Sequence, residues 1–124
     1  MSELSGRIGQ IALTVSDVDT ALGFYRDILG LPFLFQPSPQ LVFLQAGATR
    51  LMLSTPQGAG VVGANSVLYF SVADIGATYE AIVTKGATPE RAPQLAAKMP
   101  DHELWLGFVR DPDANLVGLM EEKR

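Results

Sequence analysis

The sequence contains no cysteine. Disulfides, thiolate nucleophiles, zinc ribbons and iron–sulfur clusters are excluded together. It has one histidine, His102, and a single imidazole cannot build a metal site on its own. No apolar run approaches the roughly 20 residues that a bilayer-spanning helix needs. Positive charge is sparse: 9 basic residues against 13 acidic ones give a net charge of −4. The basic residues are scattered, and only Lys123 and Arg124 are adjacent. Nucleic-acid binding needs a lysine/arginine patch to displace phosphate counterions, so neither a nucleic acid nor a membrane is expected as a partner. The opening MSELSGRIGQ lacks a charged-then-apolar signal pattern. With the missing cysteine, that leads to the expectation of a soluble, cytoplasmic protein.

What is present suits one ordinary domain. The 124 residues are 48% hydrophobic, enough for a core without disulfide or metal staples. The most informative feature is an internal repeat. QIALTVSDVDTALGFYRDILG, from Gln10, echoes VLYFSVADIGATYEAIVTKG, from Val67. Val15 aligns with Val72, Asp17 with Asp74, Thr14 with Ser71 and Val18 with Ile75. Gly30 and Gly86 close the two segments after a slip of one residue.

Each copy reads as a strand entering a helix. Ser16 or Asp17 can cap the first helix and Asp74 the second, because a short acceptor side chain satisfies free N–H groups there. Val18, Leu22, Tyr25 and Ile28–Leu29 recur at helical spacing, as do Ile75, Tyr79 and Ile82–Val83. Gly30 and Gly86 suit the left-handed turn after a helix, and Pro32 opposes continuation. Strand-like segments follow: FLF from Phe33, LVFLQAG and TRLMLS in the first half; Thr88–Arg91, ELWLGFVRD and NLVGLMEE in the second. Asp111-Pro-Asp-Ala-Asn115 is dense in turn formers. The expected fold is α+β, two β-α-β-β-β modules at about 7–55 and 66–122, joined by a Gly-rich linker at about 56–65. Gly58-Ala-Gly60-Val-Val-Gly63 matches G-x-G-x-x-G. It is assigned to that linker, because a strand follows it and not the helix a pyrophosphate site requires.

Alternation divides each strand into two faces. Ile11, Leu13 and Val15 oppose Gln10, Ala12 and Thr14. Leu51 and Leu53 oppose Arg50, Met52 and Ser54. Leu68, Phe70 and Val72 oppose Val67, Tyr69 and Ser71, while Val117 and Leu119 oppose Leu116, Gly118 and Met120. One face is aliphatic and is expected to pack on the helices. The other mixes amide, hydroxyl, guanidinium, phenol and thioether, the make-up of a small-molecule cavity wall, or else of a half-solvated face or dimer contact.

The phrases FYRDILGLP and FVRDPDANLVGLM, set in paired β-α-β-β-β modules, resemble the vicinal oxygen chelate superfamily. That group includes glyoxalase, extradiol dioxygenases and the bleomycin resistance proteins. The resemblance spans nearly the whole chain. It implies a curved eight-stranded mixed sheet around a cleft, commonly in a homodimer, and a divalent metal held by histidine and glutamate. By the same resemblance the ligand positions correspond to Gln10, Met52, Val67 and Gly118. Hard or borderline cations favour carboxylate or imidazole donors, and a catalytic site normally has three protein ligands. An amide, a thioether and two residues without donors do not make such a set. No metal and no cofactor are therefore expected.

Gln10 can orient a polar ligand or bond a neighbouring backbone group. Arg50 can pair with a carboxylate or phosphate on a ligand, or form a salt bridge at the rim. Tyr69, Trp105 and Phe108 can stack on a planar ligand or fill core and dimer contacts. Trp105 and Phe108 have opposite parity, so only one of them should face a cleft. His102, with Asp101 or Glu103 orienting it, can serve as a general base, or belong to a solvated polar cluster at a strand entrance.

Three functions remain open from the sequence. One is a metal-free binding protein of the bleomycin-resistance type, contacting its ligand through Gln10, Arg50, Met52, Tyr69, Trp105 and Met120; the acidic balance permits a cationic ligand. Another is a lyase, isomerase or dioxygenase relative working through His102 and Glu103, or through a metal recruited by His102, Glu103 or Glu121. The third is an interaction module without a small ligand.

Overall fold

In the computed structural model, which describes residues 6–56, 60–63 and 65–124, the chain forms two compact units, Met1–Val62 and Gly63–Arg124. The boundary falls inside the expected linker. Of the glycine-rich motif, Gly58 and Ala59 lie outside the described residues.

The first unit contains β1 (Gln10–Thr14), a helix α1 (Val18–Leu22) continuing into a π-helical stretch (Gly23–Ile28), β2 (Phe33–Ser38), β3 (Leu41–Ala46) and β4 (Thr49–Ser54). The second contains β5 (Leu68–Ser71), α2 (Ile75–Thr84), β6 (Thr88–Lys98), β7 (Glu103–Arg110) and β8 (Leu116–Lys123). Each unit is thus β-α-β-β-β. Each builds a four-stranded mixed sheet, in the orders β1-β4-β3-β2 and β5-β8-β7-β6. The first strand of each unit runs parallel to the last, and the other pairings are antiparallel.

Helix boundaries follow from local chemistry. Asp17, rather than Ser16, caps α1: its carboxylate accepts from the Thr20 N–H at 2.9 Å and the Thr20 hydroxyl at 2.6 Å. Asp74 caps α2 by accepting from the Ala77 N–H at 3.1 Å. At the end of α2, Gly86 sits at φ 118°. Its N–H reaches the Val83 carbonyl and that of Ala87 reaches Ile82, the paired bonds of a Schellman stop.

Each helix packs on the aliphatic side of its own sheet. In the first unit Leu13, Val15, Val42, Leu44, Leu51 and Leu53 are buried with Val18, Ala21, Leu22, Phe24 and Tyr25. In the second, Val109, Val117 and Leu119 are buried with Ile75 and Ile82. Each such side chain contributes about 1.5–3 kcal/mol on burial. The apolar alternation therefore fixes which sheet face remains for other uses.

Two strands outrun their expected lengths. β2 extends through Pro37 to Ser38. β6 runs for 11 residues instead of Thr88–Arg91. It crosses three irregularities in its pairing with β7, and Pro93 lies against Gly107. Edge strands tolerate proline because one side of the ladder needs no donor.

Candidate functional site

The mixed face of the first sheet is set by register. β1 and β4 place Gln10 beside Arg50 and Ala12 beside Met52. β3 places Gln45 beside Arg50 and Phe43 beside Met52. Gln10, Arg50 and Met52, separated by about 40 residues of sequence, come together as alternation implied.

Their contacts are specific. Gln10 Oε1 accepts from Arg50 Nε at 2.8 Å. The other end of the amide turns its Nε2 toward Met52 Sδ, 3.7 Å away. The Arg50 guanidinium carbon lies 5.0 Å from the centroid of Phe43, within cation–π range. Phe35 in turn stacks on Phe43 at 4.8 Å. Alongside is a cavity of about 300 Å³ lined by Ser38, Gln40, Leu41, Met52 and Ser54, at the small end of ligand sites. Phe35 and Phe43 were not among the sequence candidates. Extending the alternation into LVFLQAG would have put Phe43 and Gln45 on this face.

The rim salt bridge considered for Arg50 does not form: Arg50 pairs with no carboxylate among the described residues.

In the second sheet, Tyr69 and Phe108 both register with Gly118. The Tyr69 ring lies over the Gly118 backbone and meets Phe108 edge-on at 5.7 Å. A Cβ on Gly118 would stand 2.6 Å from the ring. Met120, on the same face, pairs with Ser71 and Leu106. Phe108, not Trp105, therefore joins Tyr69. Trp105 has the parity of Gly107 and Val109 on the helix side, where Lys123 covers its ring at 4.2 Å and its indole N–H donates to Glu103 at 3.1 Å. Trp105, expected beside Tyr69 and Met120 as a ligand contact, instead lies on the opposite face of the sheet from them.

His102 and Glu103 lie at the β6–β7 turn, lining a shallow depression with Lys98, Met99, Lys123 and Arg124. His102 Nδ1 faces Asp101 at 2.7 Å and Nε2 lies 3.9 Å from Glu122. Arg124 bridges Asp101 and Glu122. The hydrogen bonds from His102 and then Arg124 hold the Asp101 carboxyl below the usual carboxylate range. Asp101, His102, Glu122 and Arg124 thus form one polar cluster at the surface. Glu103 turns to Trp105, so the two proposed catalytic residues do not form a pair.

The metal implied by the superfamily resemblance does not fit the residues present. The Gln10 oxygen already faces a guanidinium, a fixed positive charge where a cation would have to sit. Val67 has no donor, and Tyr69 fills the space a ligand at 118 would occupy. Glu121, another candidate ligand, accepts from the Ile75 N–H at 2.9 Å at the start of α2. Among the described residues, no three His, Asp or Glu side chains converge to hold an ion.

Comparison with known proteins is consistent with this architecture. Residues 7–119 match the profile of the Glyoxalase/Bleomycin resistance protein/Dioxygenase superfamily. The uncharacterized protein YraH of Bacillus subtilis (strain 168) is 31% identical, with 87% of this chain and 92% of that protein aligned. Lactoylglutathione lyase from Agrobacterium tumefaciens is 25% identical over 96% of each chain, with a TM-score of 0.77. TnmS3, an antibiotic binding protein from Streptomyces sp. CB03234, shares the fold at 21% identity and a TM-score of 0.76, covering 99% of this chain and 100% of that one.

Proposed function

The chain belongs to the Glyoxalase/Bleomycin resistance protein/Dioxygenase superfamily, and from that premise we propose that it binds a small organic molecule, without a metal, on the mixed face of its first sheet. The observation that carries this reading is the bond from Arg50 Nε to Gln10 Oε1. It turns the start of a would-be metal site into a polar anchor beside an aromatic stack and a cavity. The same fold serves an antibiotic binding protein in Streptomyces sp. CB03234. The proposal includes a cytoplasmic setting, as the cysteine-free composition leads one to expect, and a homodimer, as the superfamily resemblance implies.

A metabolite and antibiotic panel tests the reading by thermal shift, with elemental analysis of the purified protein alongside. A ligand at a hundred times its Kd stabilises the fold by about 2.7 kcal/mol, a shift of several degrees. The expected result is a stabilising compound, retained by His102→Ala and lost in Gln10→Ala. If no compound raises the Tm and a stoichiometric divalent ion co-purifies, the reading is wrong. Abolished turnover of an identified substrate in His102→Ala would favour the enzymatic alternative.

A further inference from the structure

We propose that the molecule bound on this face is an anion with a flat apolar body, its carboxylate or similar oxyanion taken by Arg50 and its ring laid against Phe43 and Phe35. The inference rests on the small-molecule reading above and adds the charge and shape of the ligand.

Charge is the first argument. The chain as a whole is acidic, at −4, which would favour cations. The strands of the first sheet, QIALT, FLFQPS, LVFLQA and TRLMLS, carry only one charged residue, Arg50. A lone positive charge on an otherwise uncharged sheet attracts an anion and offers a cation no partner.

Geometry is the second. Gln10 accepts the Nε–H at 2.8 Å, which fixes the guanidinium plane and uses only one of its five N–H donors. The Nη groups have no carboxylate partner among the described residues. A planar fork held in this way suits a planar carboxylate, which it can bind through two parallel hydrogen bonds.

The surroundings supply the third argument. Phe43 lies under the guanidinium at 5.0 Å and Phe35 stacks beside it at 4.8 Å. Phe35 is 47% exposed, so its ring offers open apolar surface next to the cationic anchor. The uncharged cavity lined by Ser38, Gln40, Leu41, Met52 and Ser54 adjoins this surface.

Three probes of one shape test the proposal by calorimetric titration: 2-naphthoate, 2-naphthamide and 2-naphthylmethylammonium. 2-Naphthoate is expected to bind at least about tenfold more tightly than either analogue, the worth of one charge-assisted fork. Arg50→Met should abolish the preference, bringing naphthoate binding down to the level of the amide measured in the same variant. Arg50→Lys should recover only part, because an ammonium lacks the fork. Circular dichroism melts confirm that each variant is folded. Equal binding of naphthoate and naphthamide, or tighter binding of the ammonium, overturns the anion assignment while leaving small-molecule binding intact. Absence of binding by all three, together with a panel compound whose binding survives Gln10→Ala, overturns the assignment and the location together.

Discussion

Gly118 and Tyr69 illustrate how one missing side chain makes room for a neighbouring ring. The phenol ring lies where a Cβ would stand 2.6 Å from it, so ring and side chain exclude each other. Gly118→Ala is expected to destabilise the protein by about 1–3 kcal/mol, the usual scale of overpacking. In a Tyr69→Ala background the cost should shrink to below about 1 kcal/mol. Urea denaturation of the four proteins in the cycle measures the coupling; strictly additive losses would mean that the two residues do not compete. Much of the residue-level picture was legible in the sequence, because polar and apolar residues alternate cleanly in β1 and β4 and put Gln10, Arg50 and Met52 on one face. β7 was different. Leu104, Trp105, Leu106, Phe108 and Val109 are apolar on both faces, so alternation could not say whether Trp105 or Phe108 joins Tyr69. That depended on the partner strand and on which side α2 covers.

At the scale of elements, the one-residue slip between Gly30 and Gly86 has a physical counterpart. The first helix carries one residue more between cap and stop, and it absorbs the extra residue as a π-helical stretch over Gly23–Ile28. Leu29 N–H bonds the Phe24 carbonyl, five residues back, as a π turn requires. Phe24 and Tyr25 both remain buried, which a regular helical stripe through Tyr25 does not anticipate. The sequence signals only the start of β6, because Leu95, Ala96, Ala97 and Lys98 have good intrinsic helix propensity and two prolines interrupt the strand pattern. Pairing with β7 overrides both. The start of α2 is a case where side chains from two elements hold one terminus: Asp74 caps Ala77 and Glu121, from β8, takes the Ile75 N–H. Asp74→Ala should cost about 1 kcal/mol. Glu121→Ala should cost about 1–3 kcal/mol, since it leaves a donor on a buried residue without its acceptor. Glu121→Gln, whose amide oxygen can still accept, should cost less. Chemical denaturation ranks the three, and a Gln variant as unstable as the Ala variant would argue against the hydrogen bond as the cause.

Across the whole molecule, charge is unevenly distributed, and that sets the response to acid. The strands of the first sheet carry almost none, while acidic groups gather at helix starts and in the strands and turns of the second unit. Several of these carboxyls are held below their ordinary range: Asp17 by its bonds from Thr20, Asp27 by Arg26, Glu90 by Arg110, and Asp101 by His102 and Arg124. A carboxyl with a lower pKa in the folded chain than in the unfolded one is protonated more readily on unfolding. Its contribution is therefore complete above the unfolded value, about 4, and disappears as pH falls through the folded value. All four groups are exposed, so each contribution is small and weakens with salt. The Tm is expected to hold steady from pH 7 to about 5 and to decline below about 4. Asp101→Asn isolates one share of this effect, because it removes the charge between His102 and Arg124. The variant should be less stable than the parent at neutral pH, and the gap should close as both are acidified. Melting curves from pH 3 to 7 at low and high salt provide the measurement. A gap that widens on acidification would reverse the sign and show that the ion pairs around Asp101 do not favour the folded chain.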